Sequence, residues 1–574
     1  MARSGSTSSS RIGRDQDREL PETGHEDVEA LPRPRRYPTS PETELVRAAL
    51  EAAPDDPEPH PPHPPLPPES TITANWGLPL AVVVVGMFMS VLDTSIVNVA
   101  IPTMEKQFSV TSDDIEWVST AYTLCLGVIV PTSAWLGDRI GLRKLYLISL
   151  LGFAFFSAMC GTAENLGVMI VYRILQAVPA GVLPVTCLTI LYRMVPRDKL
   201  GAAMGLYGFG LVIAPGVGPA LGGYLVEYVD WRLIFYINVP IGILGAVAAV
   251  MILPSFPPAP SRRFDLPGFI CIAGGLFAGL LAVSEGPQWG WTSYPVLVLA
   301  TVSVNLLILF VAIEHWVPQP LLDVRVFRSM PFINSLVLIT IMTMGMFSVL
   351  YYVPQFLQVD QDITPLNTGL VVLPQAAVMA VIMPYAGRIY DRFGARWPAV
   401  IGLLLNTYGS YLMIRITVDS TRPEIIIWTS IRAAGLAMSM MPIMTAGLSS
   451  LPSEISNFGS AYNTMFQRVS SALGVSIMTA LTTAQQAQFM ANRSGLIQPG
   501  VANTNPRILQ MQAQGPQGLL PLWQQMVDEV LARSYSNVFL VITVLTALGV
   551  PLAFLLRSGR PEYGDGERAE PIEM

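Results

Sequence analysis

Residues 78–101 read LPLAVVVVGMFMSVLDTSIVNVAI. As an α-helix, 24 residues rise about 36 Å, enough to cross the hydrocarbon core of a bilayer. The stretch carries one ionisable side chain, Asp93, and no polar face of the kind that a surface helix of a soluble protein shows. In lipid no water satisfies the backbone, so a helix is the conformation that such a segment takes. A bilayer is therefore the solvent that the sequence requires.

The rest of the chain agrees. Of 574 residues, 51% are hydrophobic and 13% charged, against roughly 25% charged in soluble domains. Thirteen further apolar stretches follow the first, near 115–136, 144–163, 166–192, 201–226, 232–254, 266–285, 294–316, 331–354, 367–386, 397–417, 424–448, 459–482 and 535–556. The fold class expected is all-α integral membrane, with fourteen transmembrane helices. Basic residues support the count, because Lys and Arg gather in cytoplasmic loops. The short even-numbered loops carry thirteen of them, including Arg139, Arg143, Lys144, Arg193, Arg388, Arg392 and Arg396, whereas the short odd-numbered loops carry Lys106 and Arg422. An even number of spans puts both termini, and the basic pair Arg557 and Arg560, on the cytoplasmic side of a cell inner or plasma membrane.

Residues 1–74 form a different kind of chain. Most of the formal net charge of −7 sits there, and residues 1–70 hold fourteen prolines with His25, His60 and His63. So little apolar surface cannot offset the entropy of ordering, and an acidic, disordered cytoplasmic tail is expected. With no apolar run before residue 70, the first span is expected to direct insertion itself. A long outer loop is expected at about 483–534, and a short cytoplasmic tail at 558–574. The four cysteines, Cys125, Cys160, Cys187 and Cys271, fall in apolar stretches without metal-ligand spacing, so no metal or cofactor is expected.

Ionisable groups at membrane depth are costly and mark function by default. Asp93 is the sharpest case. A carboxyl there suits uptake of a proton from one side and its release to the other. Thr94 and Asn98 extend a polar stripe from it toward a cavity wall, and Gln176 is placed on the same wall. Arg173, inside the fourth span, keeps its charge and must find acceptors, either Asp93 or backbone carbonyls. Arg432 and Arg468 occupy similar depths in spans twelve and thirteen, as static hydrogen-bonding groups or as parts of a second-half site. Span five concentrates Gly208, Gly210, Pro215, Gly216, Gly218, Pro219, Gly222 and Gly223, which suits close helix approach and a kinked hinge. Finally, the turn Gly137-Asp138-Arg139-Ile140-Gly141-Leu142-Arg143 after span two is echoed by Asp391-Arg392-Phe393-Gly394-Ala395-Arg396 after span ten. Duplicated halves are common in secondary transporters.

On these residues the chain resembles the major facilitator superfamily and, within it, the fourteen-helix drug:proton antiporters. Leu92-Asp93-Thr94-Ser95-Ile96-Val97-Asn98-Val99-Ala100-Ile101-Pro102 is similar to that branch's first-helix motif, and Trp231-Arg232-Leu233-Ile234-Phe235-Tyr236-Ile237-Asn238-Val239-Pro240-Ile241-Gly242 to its sixth-helix signature. The Asp138 turn resembles the signature loop that latches the halves in one state. The Arg173 stretch resembles the motif in which arginine assists proton coupling, and Gly210 to Gly223 the antiporter motif.

The resemblance implies two six-helix bundles, residues 75–256 and 329–557, with two inserted helices at 257–328. It also implies alternating access. Asp93 and Arg173 would couple protons, while Asp138, Arg139, Gly141, Arg143, Asp391, Arg392 and the Gly-Pro residues of span five would switch conformation. The expected activity is export of amphiphilic, cationic small molecules such as lipophilic drugs or dyes, in exchange for protons and within membrane lipid. Export of lipids or cell-envelope precursors is the main alternative, and proton-coupled import on the same fold is another. No G-x-x-x-x-G-K loop exists for ATP, so neither ATP nor nucleic acid is an expected partner, and no enzyme is expected.

Overall fold

The computed structural model describes residues 76–556 apart from 197–198, 257, 259–263, 318, 362, 453–454 and 495–515. The acidic tail, Arg197, Arg262, Arg263, Arg557, Arg560 and the centre of the expected outer loop lie outside the described residues.

Among the described residues the chain is helical, with no strand. The first six expected spans are α1 (Gly77–Phe108), α2 (Ser112–Ile129) with α3 (Thr132–Ile140), α4 (Leu142–Gly161), α5 (Leu166–Met194), α6 (Leu200–Tyr228), and α7 (Leu233–Tyr236) with α8 (Asn238–Ile252). The inserted pair is α9 (Leu266–Trp289) and α10 (Tyr294–Trp316). The remaining helices are α11 (Met330–Val359), α12 (Pro365–Phe393), α13 (Arg396–Met413), α14 (Arg422–Ser449), α15 (Ser456–Ser494) and α16 (Pro516–Phe554). Eleven of the helical stretches are long and apolar enough to cross a membrane, or twelve when the bent pair of α2 and α3 is counted. The shortfall from fourteen lies in α13 and α15, which sit among the C-terminal helices against α14 and α11.

Local chemistry places the helix starts. Asn165 caps α5 through Val168 N–H at 3.0 Å, and Asp265 caps α9 through Gly268 N–H at 3.0 Å. Thr421 and Glu424 form a capping box on α14. Lipid-facing surfaces remain apolar, as Leu244 and Met251 on α8 and Ile308 on α10 show by their exposure.

Three details go beyond the expectations. The second span is not one straight helix: α2 and α3 meet at a bend of 59°, where Pro131 cannot donate a backbone hydrogen bond. Span five, expected to kink at its prolines, is one continuous helix, α6, with Pro215 and Pro219 inside it. The loop expected over 483–534 is helical at both flanks, since α15 continues to Ser494 and α16 begins at Pro516.

The small residues of α6 serve packing on two sides. A Cβ at Gly210, Gly218 or Gly222 would run into Val84, Ser95 or Ile96 of α1, and one at Gly205 or Gly216 into Met383 or Ala376 of α12. Gly223 is buried in the same stretch. α6 is thus held between a helix of the first six spans and one of the last six, at separations that side chains would not permit.

Candidate functional site

Arg173 and Gln176 are three residues apart on α5 and so share one face. That face meets Asp93 of α1, and all three side chains are buried to 1% exposure or less. Arg173 Nη1 donates to Asp93 Oδ2 at 2.6 Å and to Gln176 Oε1 at 2.8 Å. Gln176 Nε2 donates to the other carboxylate oxygen, Asp93 Oδ1, at 3.0 Å. The result is a closed ring of three side chains in which the ion pair is also hydrogen-bonded.

A second layer surrounds this ring. Arg173 Nε reaches the Val118 carbonyl at 3.3 Å, and its guanidinium lies 3.7 Å from the centre of the Tyr122 ring, both on α2. Asn238, where α8 begins, points Nδ2 at Asp93 Oδ1 (3.4 Å) and at Ser157 Oγ (3.1 Å). Ser157 in turn donates to the Phe235 carbonyl at 2.9 Å. Five helices and the short α7 thereby converge on one carboxylate. A buried ion pair needs such extra hydrogen bonds to offset the loss of hydration.

The structure therefore brings together Asp93, Arg173 and Gln176. It leaves Thr94 and Asn98 outside the ring: Thr94 bonds back to the Ser90 carbonyl at 3.3 Å, and Asn98 is exposed and accepts from Ser119 at 2.9 Å. Reasoning from sequence gave Tyr122, Ser157 and Asn238 no role. Asn238 lies in the stretch that resembles the sixth-helix signature, and that was the one signal available for it.

The two Asp-Arg-x-Gly turns meet opposite partners. Asp138 accepts from Asn457 Nδ2 at 3.3 Å, close to the start of α15, and lies 3.7 Å from Arg193. Asp391 accepts from the backbone N–H groups of Gly201 (2.8 Å) and Ala202 (3.0 Å), in the first turn of α6, where a carboxylate also meets the positive end of the helix. Each aspartate ties its own turn to a helix of the other set of six. Gly141 and Gly394 have φ of 85° and 77°, which lets the chain reverse tightly where an L side chain would be strained. Of the basic neighbours, Arg139 and Arg392 are exposed and lie over Trp135 and Phe393, while half-buried Arg143 donates to the Val250 carbonyl.

Arg432 is buried on α14, and Arg468 is half-buried on α15. Neither joins the Asp93 ring. A cavity of about 300 Å³ lies elsewhere, between α2 and α9, lined by Asp114, Glu116, Glu285, Trp117 and Trp289. There Glu116 accepts from Gln288 at 2.8 Å. Among the described residues no group of His, Cys, Asp and Glu side chains can hold a metal.

Residues 83–475 match the pattern of the Major Facilitator Superfamily. The chain belongs to that superfamily. Facilitators are transporters and not enzymes, and the aspartate ring, the paired turns and the small-residue helix α6 are parts of a transporter. Among similar proteins, an uncharacterized MFS-type transporter of Bacillus subtilis, YhcA, is 34% identical over 404 residues, covering 70% of this chain and 76% of the relative. A multidrug resistance protein B homolog of Mycobacterium tuberculosis is 30% identical over 503 residues, covering 86% and 91%. In fold, the facilitator resembles the proton:xylose symporter XylE, with a TM-score of 0.50 at 13% identity over 83% of this chain and 95% of that one.

Proposed function

We propose that this facilitator exports amphiphilic small molecules in exchange for protons, by alternating access between two six-helix bundles joined through the inserted α9 and α10. The observation that carries the reading is the ring around Asp93, the one carboxylate at that depth of α1 and one whose charge is balanced by a single buried arginine. Protonating Oδ2 removes the ion pair and frees Arg173 to rely on Gln176, Val118 and the Tyr122 ring. A change of one proton thereby alters how five helices are tied together. The two latches, Asp138 to Asn457 and Asp391 to Gly201 and Ala202, supply the other element that alternation requires. They hold the halves together at the end bearing the basic turns, which is the cytoplasmic end if basic loops lie inside.

Resistance-type relatives at about 30% identity favour export as its direction. A cationic substrate would be drawn by a free Asp93 carboxylate. In the structure Arg173, Gln176 and Asn238 occupy that carboxylate, so its charge is already spent within the protein.

The test uses purified protein in proteoliposomes under an imposed pH gradient, with proton flux and the movement of anionic, neutral and cationic amphiphilic dyes followed together in wild type and Asp93→Asn. Gradient-driven flux in the wild type that Asp93→Asn abolishes is the expected result. An Asp93→Asn protein that transports as well as wild type rules out Asp93 as the coupling site. A wild type that moves phospholipid across the bilayer under the gradient but no soluble amphiphile would make it a lipid exporter instead.

A further inference from the structure

Arg432 sits on α14 with 4% of its surface exposed. Among the described residues no hydrogen-bond acceptor or carboxylate partners its guanidinium, and its Nε is buried without a partner. A guanidinium does not discharge by losing a proton, and leaving it unpaired in a low-dielectric interior is costly. The Asp93 ring shows that this chain supplies another buried arginine, Arg173, with acceptors. At Arg432 it supplies none.

The side chain lines a small cavity of about 20 Å³, room for roughly one water. Its walls come from both sets of six helices: Gly216 from α6, Met346 from α11, Gln375 and Met379 from α12, and Leu436 from α14. Gly216 closes it by packing on Ala376, so separating α6 from α12 widens this space. Arg468, on α15, also lacks a carboxylate partner among the described residues. Asp93 and Arg173 cancel each other, whereas the Arg432 charge at this cavity has no such counterpart among the described residues.

We propose that Arg432, with Gln375 across from it, is the docking point for the anionic head of the transported amphiphile: a sulfonate, carboxylate or phenolate on an apolar body. The guanidinium supplies a planar fork of donors for such oxygens, the Gln375 amide adds another donor, and Met346 and Met379 adapt to apolar bodies of different shape. This deepens the exporter reading and rests on it.

The test compares two probes with the same aromatic body and permanent opposite charges, 1-naphthalenesulfonate and (1-naphthylmethyl)trimethylammonium. Their binding to the purified full-length protein is measured by equilibrium dialysis, with empty detergent micelles as blank. The sulfonate is expected to bind about tenfold more tightly than the ammonium. Arg432→Met should lose that tenfold for the sulfonate and nothing for the ammonium, with Arg432→Lys retaining part. Gln375→Leu, on another helix, should weaken the sulfonate about threefold and keeps the test decisive if Arg432→Met fails to fold. The proposal is overturned if the ammonium binds as tightly as the sulfonate, or if the folded variants bind the sulfonate within twofold of wild type. Displacement of the sulfonate by short-chain phosphatidylglycerol, but not by phosphatidylcholine, assigns the anionic head to a lipid; displacement by neither assigns it to a free amphiphile, and the anion site stands in both cases. A sulfonate that binds but is not moved by a pH gradient preserves the site and removes proton-coupled export. Gradient-driven movement of the ammonium without sulfonate binding does the reverse.

Discussion

Arg173 holds Asp93 at 2.6 Å in a place where neither side chain retains more than 1% of its exposure. An ion pair so placed has little alternative hydration, so removing one partner leaves the other charged and stranded. Arg173→Met is expected to cost roughly 3–5 kcal/mol, read as a lower thermal transition of the purified protein. The double variant Asp93→Asn with Arg173→Met should recover a substantial part of that loss, because no bare charge remains. A double variant less stable than Arg173→Met would mean that the carboxylate has other partners strong enough to hold it alone.

Asp391 receives two backbone N–H groups of α6, and hydrogen bonds to a charged acceptor contribute roughly 1.5–3 kcal/mol each. Asp391→Ala should therefore shift the protein toward the state open at the basic-turn end. A cysteine replacing Met383, buried against Gly205, in a background lacking the four native cysteines, should react with a polar maleimide about tenfold faster in Asp391→Ala. An unchanged rate would show that the contact is not a latch.

Gly216 and Gly218 stand two residues apart on α6 and face different helices, α12 and α1 respectively. Gly218→Val collides with Ser95 of α1, within the first six spans, and should lower thermal stability. Gly216→Val collides with Ala376 across the two halves, so its main effect should be faster labelling of the same cysteine, with a smaller loss of stability. Equal effects on both readouts would remove the distinction between the two faces of α6.

Arg432 predicts a conflict between stability and function. Replacing an uncompensated buried charge by an apolar side chain of similar length removes a desolvation cost, and Arg432→Met should be more stable than wild type by about 1–4 kcal/mol. Differential scanning fluorimetry without substrate measures this directly. A lower transition temperature would reveal an internal acceptor for the guanidinium.

Residues 78–101 and the stretches like them were legible because crossing a membrane is a property of local composition: about twenty apolar residues must form a helix wherever they lie in the chain. The depth of Asp93 and Arg173 and the repetition of Asp138-Arg139-Ile140-Gly141 in Asp391-Arg392-Phe393-Gly394 were legible for the same reason. Who pairs with whom is not local. Asn238 and Ser157 reach Asp93 only because α4, α5 and α8 converge, and Gly201 and Asn457 receive the two aspartates only because the halves face each other. The lack of an acceptor at Arg432 among the described residues likewise depends on neighbours distant in the chain. The sequence by itself determined a membrane-embedded helical chain with charges inside it. Only the tertiary structure decided which of those charges are already neutralised and which face the space between the halves, because electrostatic pairing acts over a few ångströms in space and is blind to separation along the chain.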